Sequence, residues 1–81
     1  MDSNLYVNEF VEKLSTLNVP QSDIYNYLNY SVKIENVFDY ETKISLFERM
    51  ISDFENKYPN LFIDLKDEID FLYNVIVNPG C

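Results

Sequence analysis

The 81-residue sequence predicts an all-α protein: a compact bundle of three to four amphipathic helices forming a single domain over residues 1–81. Three observations carry that expectation. Apolar residues recur at three- and four-residue intervals along most of the chain, the spacing that lines one face of a helix. Prolines and asparagines interrupt these runs where short links between neighbouring helices belong. Hydrophobic residues make up 47% of the chain, with seven tyrosines and six phenylalanines. A core can therefore form despite the short length, whereas a disordered chain combines high charge with low hydrophobicity.

Taken in order, Ser3 suits the N-cap of a first helix that runs to about Leu17, with Tyr6, Phe10, Leu14 and Leu17 spaced four, four and three apart on one face. Asn18-Val19-Pro20 ends it, since a residue before proline is driven out of the helical region. Ser22 suits the cap of a shorter second helix over 23–31, followed by a connection over 33–39. Two patterns compete there. Ile24 and Leu28 are helical neighbours, while Leu28, Tyr30, Val32 and Ile34 alternate with polar residues as a half-buried strand does. A lone strand has nothing to pair with in this chain, which favours helix. On that helix Ile24 and Leu28 face inward, and Tyr27 and Tyr30 fall towards the opposite side.

The third helix spans 40–57. Ile44, Phe47, Ile51, Phe54 and Tyr58 form its stripe, Asp39 suits its N-cap and Tyr58-Pro59 its end. The fourth spans 60–77 on Leu61, Leu65, Ile69, Leu72 and Ile76, widened by Phe62 and Tyr73, and Asn78-Pro79-Gly80 stops it.

The residue inventory excludes much chemistry. There is no histidine, hence no imidazole base or ligand, and the single cysteine is the terminal Cys81. The single glycine, Gly80, cannot build a phosphate-cradling loop, and the serines have no histidine to activate them. The densest carboxylate cluster, Asp64, Asp67, Glu68 and Asp70, lies in a helical run without the glycine that a calcium loop needs at its turn. The expectation is a protein that is not an enzyme and that uses no metal and no cofactor.

Six basic residues against fourteen acidic give a net charge of −8. Phosphate backbones and anionic membranes are held by lysine and arginine, so neither bare nucleic acid nor a membrane surface is an expected partner. A basic protein is, with its encounter accelerated by the acidic field and slowed by salt. The lone cysteine points to a reducing cytoplasm. No basic start followed by an apolar run marks a signal peptide, and Asn78 stands where a prenylation box needs cysteine.

Three surfaces are candidates for contact with a partner. On the fourth helix, Asp64, Asp67 and Asp70 surround Phe71, an apolar residue rimmed by carboxylates in the manner of an interface anchor. The plainer alternative is that a neighbouring helix covers Phe71 and Val75. On the third, Glu41, Glu48 and Glu55 recur every seven residues with Ser45 and Ser52 between them, forming either a row that stands in for nucleic-acid phosphates or a solvated flank. The third is the tyrosine group around Tyr27 and Tyr30, amphipathic rings of the kind favoured at interfaces.

In size and charge the chain resembles phage-encoded anti-defence proteins, anti-CRISPR proteins among them, and immunity proteins that plug a nuclease toxin; no single motif carries that likeness. It implies an inhibitor that blocks a basic, nucleic-acid-handling protein in the cytoplasm, the host's if a phage encodes it. The abundance of Asn, Ile, Lys, Tyr, Phe and Asp suits an AT-rich genome. The alternative is an adaptor or assembly subunit that homodimerises to complete a small core.

Overall fold

The computed structural model describes residues 3–77, with side chains from Tyr6 onward. Five helices follow one another: α1 (Ser3–Ser15), α2 (Gln21–Asn36), α3 (Tyr40–Lys57), α4 (Pro59–Asp64) and α5 (Lys66–Val77), with no strand among the described residues. The expected all-α bundle is therefore present. The side chain of Ser3, the stop at Asn78-Pro79-Gly80 and Cys81 lie outside the described residues.

Each helix boundary has a local cause. After α1 the chain turns through Asn18, whose φ of 67° is left-handed, a conformation that asparagine adopts more readily than most residues. The Val19 amide then reaches back to the Leu14 carbonyl (3.4 Å), and both side chains are buried, which is the hydrogen bond and apolar contact of a Schellman cap. Asp39 caps α3 as expected, its carboxylate accepting from the Thr42 amide (3.3 Å) and hydroxyl (2.5 Å). Pro59 opens α4 at its first position, where a missing amide hydrogen costs nothing.

Two elements depart from the sequence expectation. The first is α2, which starts at Gln21 without a side-chain cap, so Ser22 is not its cap, and which continues to Asn36, leaving only 37–39 as connection. Its buried face is Ile24, Tyr27, Ser31 and Ile34, while Leu28 is only half-buried. Ser31 causes the shift. Its hydroxyl donates to Asn8 Oδ1 of α1 (2.6 Å), so a polar residue sits satisfied where the core stripe passes. The second departure is in the predicted fourth helix, which bends at Leu65 into α4 and α5. Leu65 itself stays buried, and the ladder carries through the bend (Leu65 amide to Leu61 carbonyl 2.9 Å, Ile69 amide to Leu65 carbonyl 3.0 Å).

α1 packs on α2 and α5, and α3 packs on the same two, so the four long helices close a ring around the core. α1 lies diagonally across from α3, and α2 from α5, while α4 fills the corner between α3 and α5. The radius of gyration, 11.9 Å, is what a folded domain of this length has, about 11.7 Å. Phe54 sits at the centre. Its ring lies edge-on to Phe10 of α1 (5.9 Å) and Tyr27 of α2 (6.1 Å) and tilted against Tyr58 (5.8 Å). Such aromatic contacts add roughly 0.5–1.5 kcal/mol each beyond area burial.

Phe38 is the opposite case. It stands fully exposed in the connection between α2 and α3, whereas Tyr40, two residues on, donates its hydroxyl to the Val77 carbonyl at the end of α5. Phe54→Ala is expected to lower unfolding free energy by about 3–5 kcal/mol, and Phe38→Ala to change it by less than about 0.5 kcal/mol. Urea denaturation of the two variants checks both values.

Candidate functional site

The candidate partner-binding residues lie on more than one surface. Tyr27 is on no surface: it is 1% exposed, packed on Phe54, with its hydroxyl donating to Asp53 Oδ2 (3.0 Å). That corrects the expectation of an outward Tyr27, and the cause is the register of α2, which turns the 24–27–31–34 face inward. Tyr30 is half-buried, with the Lys33 ammonium 5.5 Å from its ring centre, a cation–π contact. Because α2 lies diagonally from α5, the tyrosines and the α5 carboxylates do not share a surface.

Phe71 lies on the flank of α5 that faces α1. It is 52% exposed, edge-on to Tyr6 (5.5 Å), and Val75 is half-buried, so the face is partly covered. The groove there is lined by Tyr6, Glu9, Phe10, Phe71 and Leu72 and is crossed by a Lys13–Glu68 salt bridge. Asp64 ends α4 and is separated by the bend from Asp67 and Asp70, so the three carboxylates do not line one straight helix.

The opposite flank of α5 is different. Between α3 and α5 runs a groove of about 250 Å³, floored by Phe47, Ile51, Ile69 and Tyr73 and rimmed by Glu48, Glu55 and Asp70. Tyr73, 42% exposed, rests against Phe47 (6.5 Å). The groove thus joins two of the predicted strips, one carboxylate pair from α3 and Asp70 from α5. It is smaller than the roughly 300–1,000 Å³ usual for small-molecule sites, and it opens along the helices.

The rim residues also lack a structural task. Among the described residues Glu41, Glu48, Glu55, Asp64, Asp67 and Asp70 are all exposed and none forms a salt bridge. Glu41 and Asp67 lie in the first turns of α3 and α5, where the helix dipole favours a carboxylate. Glu48 and Asp70 lie mid-helix, and Glu55 lies in the last turn of α3, where the dipole disfavours it. Glu48, Glu55 and Asp70, which line the groove, have neither the dipole nor a cation to account for them, and the same holds for Asp64 at the end of α4. Tyr73 was legible in the sequence only as a residue widening the core stripe; its position three after Asp70 and four after Ile69 is the signal that sets it beside both.

The remaining polar cluster is structural. At the junction of α2 and α3, Asp23 accepts from Tyr58 and from Lys57 (3.1 Å), and Lys57 also approaches Asp53 (3.6 Å). The Tyr58 hydroxyl, then the Lys57 ammonium, hold the Asp23 carboxyl below its ordinary 3.8. Burial, then the bond to Asp53, push the Tyr27 phenol well above its ordinary 10.0. Among the described residues no group of three or more histidine, cysteine, aspartate or glutamate side chains converges as a metal site, and no helix is long and apolar enough to cross a membrane.

No protein-family model matches the chain, and no curated protein and no solved structure matches it significantly.

Because the folded-state value of Asp23 is depressed, its contribution is present above about pH 4, where the unfolded chain's aspartate is ionised, and is lost as pH falls through the lower folded value. Asp23→Asn is therefore expected to be less stable than the parent at pH 7, with the gap closing towards pH 2. Urea midpoints across that range measure it.

Proposed function

We propose that this protein is a binding inhibitor that occupies a basic surface on a nucleic-acid-handling protein and performs no chemistry of its own. The observation that supports the reading is the groove between α3 and α5. Its apolar floor is edged by Glu48, Glu55 and Asp70, three carboxylates with no cation of their own among the described residues. An apolar centre with a charged rim is the make-up of an interface, and the rim's sign selects a basic partner. Cytoplasmic action, in a host if a phage encodes the chain, belongs to the same proposal.

Charge density decides how the inhibition works. Glu41, Glu48 and Glu55 are seven residues apart, about 10.5 Å along the helix. Duplex DNA carries one charge per roughly 1.7 Å of its axis, so a length equal to the molecule's 32 Å long dimension would hold about 19. The carboxylate row is far sparser. Inhibition then rests on steric occlusion by a complementary acidic face, with phosphate mimicry confined to the few positions where a glutamate meets an arginine or lysine.

A homodimeric adaptor is the second reading, supported by the half-exposed Phe71 beside Tyr6. Sedimentation separates the two: a monomer that binds a basic protein supports the inhibitor, and a tight dimer without such a partner supports the adaptor.

Affinity capture from the native host at low and high salt tests the leading reading. It is expected to retain a basic protein at low salt and to release it as salt rises. Addition of the chain should then displace nucleic acid from that protein. Reversal of Glu48 and Asp70 to lysine is expected to weaken capture at least tenfold, equivalent to about 1.4 kcal/mol. A captured protein that keeps its nucleic acid undisturbed contradicts the inhibitor reading.

A further inference from the structure

The groove between α3 and α5 does not end at Glu48. A second depression, lined by Glu41, Ile44, Ser45, Glu48, Arg49 and Ser52, shares Glu48 and Ser52 with it. Together they form one trough along α3 from Glu41 to Glu55, a length of about 21 Å at 1.5 Å per residue. Its lining repeats every seven residues: Ile44 and Ile51 are half-buried, Ser45 and Ser52 are small and exposed, and Glu41, Glu48 and Glu55 are exposed acids. In the core, Phe47, Met50 and Phe54 form the inner face of the same helix, while Ile44 and Ile51 pack against that core along one edge and leave the other edge open to the trough.

From this we infer that the trough is a docking site for one α-helix of the partner, a helix that carries an apolar seam flanked by lysine or arginine at seven-residue intervals. The inference rests on the proposed binding of a basic protein and specifies how that protein is held.

Three features fix the occupant. The first is the repeat. A helix packed nearly parallel or antiparallel to α3 has the same rise, so a cation every seven residues meets every glutamate, as charged flanks do in coiled coils. An extended strand rises about 3.3 Å per residue and covers 10.5 Å in roughly three residues, and residues three apart point to opposite faces. A strand therefore cannot answer successive glutamates. The second is the pair of serines, whose small side chains let another backbone approach α3 closely. The third is charge. Four acids and one arginine line the trough, and each chain carries a net −8, so a second copy meets like charge while a basic helix does not. The α1–α5 groove offers less selection, because Lys13 and Glu68 satisfy each other across it and leave Glu9 as its one acid without a salt bridge.

Two fluorescently labelled synthetic peptides of equal composition test this on the full chain by anisotropy at low salt. One is an amphipathic helix with a leucine seam and lysine at every seventh flanking position; in the other the same lysines are permuted off that spacing while the leucine seam is kept. The seven-spaced peptide is expected to bind at least tenfold more tightly. Glu48→Lys with Glu55→Lys should erase its advantage, and Glu48→Gln with Glu55→Gln serves if the reversed variant does not fold by circular dichroism. Glu9→Lys with Glu12→Lys on α1, an equal change in net charge, should keep the advantage. Equal binding of both peptides, with both weakened by the α3 changes, would overturn helix docking while leaving the trough as an attractor of basic proteins. Binding that ignores the α3 changes altogether would remove the basic-partner reading as well.

Discussion

The arrangement of the molecule depends on the seating of Phe54. Its ring is almost wholly buried among Phe10, Tyr27 and Tyr58, and it ties α1 and α2 to α3 at one point. With Phe47 and Met50 it fixes the rotation of α3 about its own axis. That rotation decides which flank faces out. Once Phe54 points to the core, Ile44 and Ile51 can be only half-covered, and Glu48 and Glu55 must stand at the edge facing α5. The acidic trough is thus a consequence of how the core is packed, and a small core of this kind has little redundancy with which to reposition it.

Charge is distributed with a similar asymmetry. Four of the six basic side chains have structural engagements: Lys13 with Glu68, Lys57 with Asp23 and Asp53, Lys43 with the Ile34 carbonyl (2.6 Å), and Lys33 with the Tyr30 ring. They tie helices together or cover a ring, and they do not lower the charge of the α3–α5 rim. There, unpaired carboxylates persist in places where the helix dipole gives no support, Glu55 above all. The same sequence that is poor in catalytic groups is rich in uncompensated negative charge beside exposed apolar surface.

How much of this was readable beforehand varied with the element. The span of α3 was legible to the residue, because Asp39 and Tyr58-Pro59 bracket it with cap and stop and its stripe is unbroken. That α2 is a helix is legible, but its extent and facing are not, because Ser31 interrupts the apolar pattern; its satisfaction by Asn8 is a tertiary fact that periodicity does not carry, and the orientation of Tyr27 depends on it. The bend at Leu65 leaves no trace in a run without proline or glycine. Each acid of the candidate site was nameable from spacing alone, but the meeting of Glu48, Glu55 and Asp70 across one groove depends on which helices are neighbours, and only the packed bundle determines that. Phe38, fully exposed in a three-residue connection, belonged to neither stripe and so gave no signal beyond its own exposure.

The central claim is that the groove's carboxylates serve binding at the expense of stability, and it can be tested without knowing the partner. The measurement is the urea midpoint of a Glu48→Gln, Glu55→Gln, Asp70→Asn variant against the parent, at low and high salt, with the denaturant slope unchanged. A midpoint raised at low salt, by an amount that shrinks as salt screens the repulsion, is the result expected. A lowered midpoint would mean that these acids hold the bundle together, and would contradict the account.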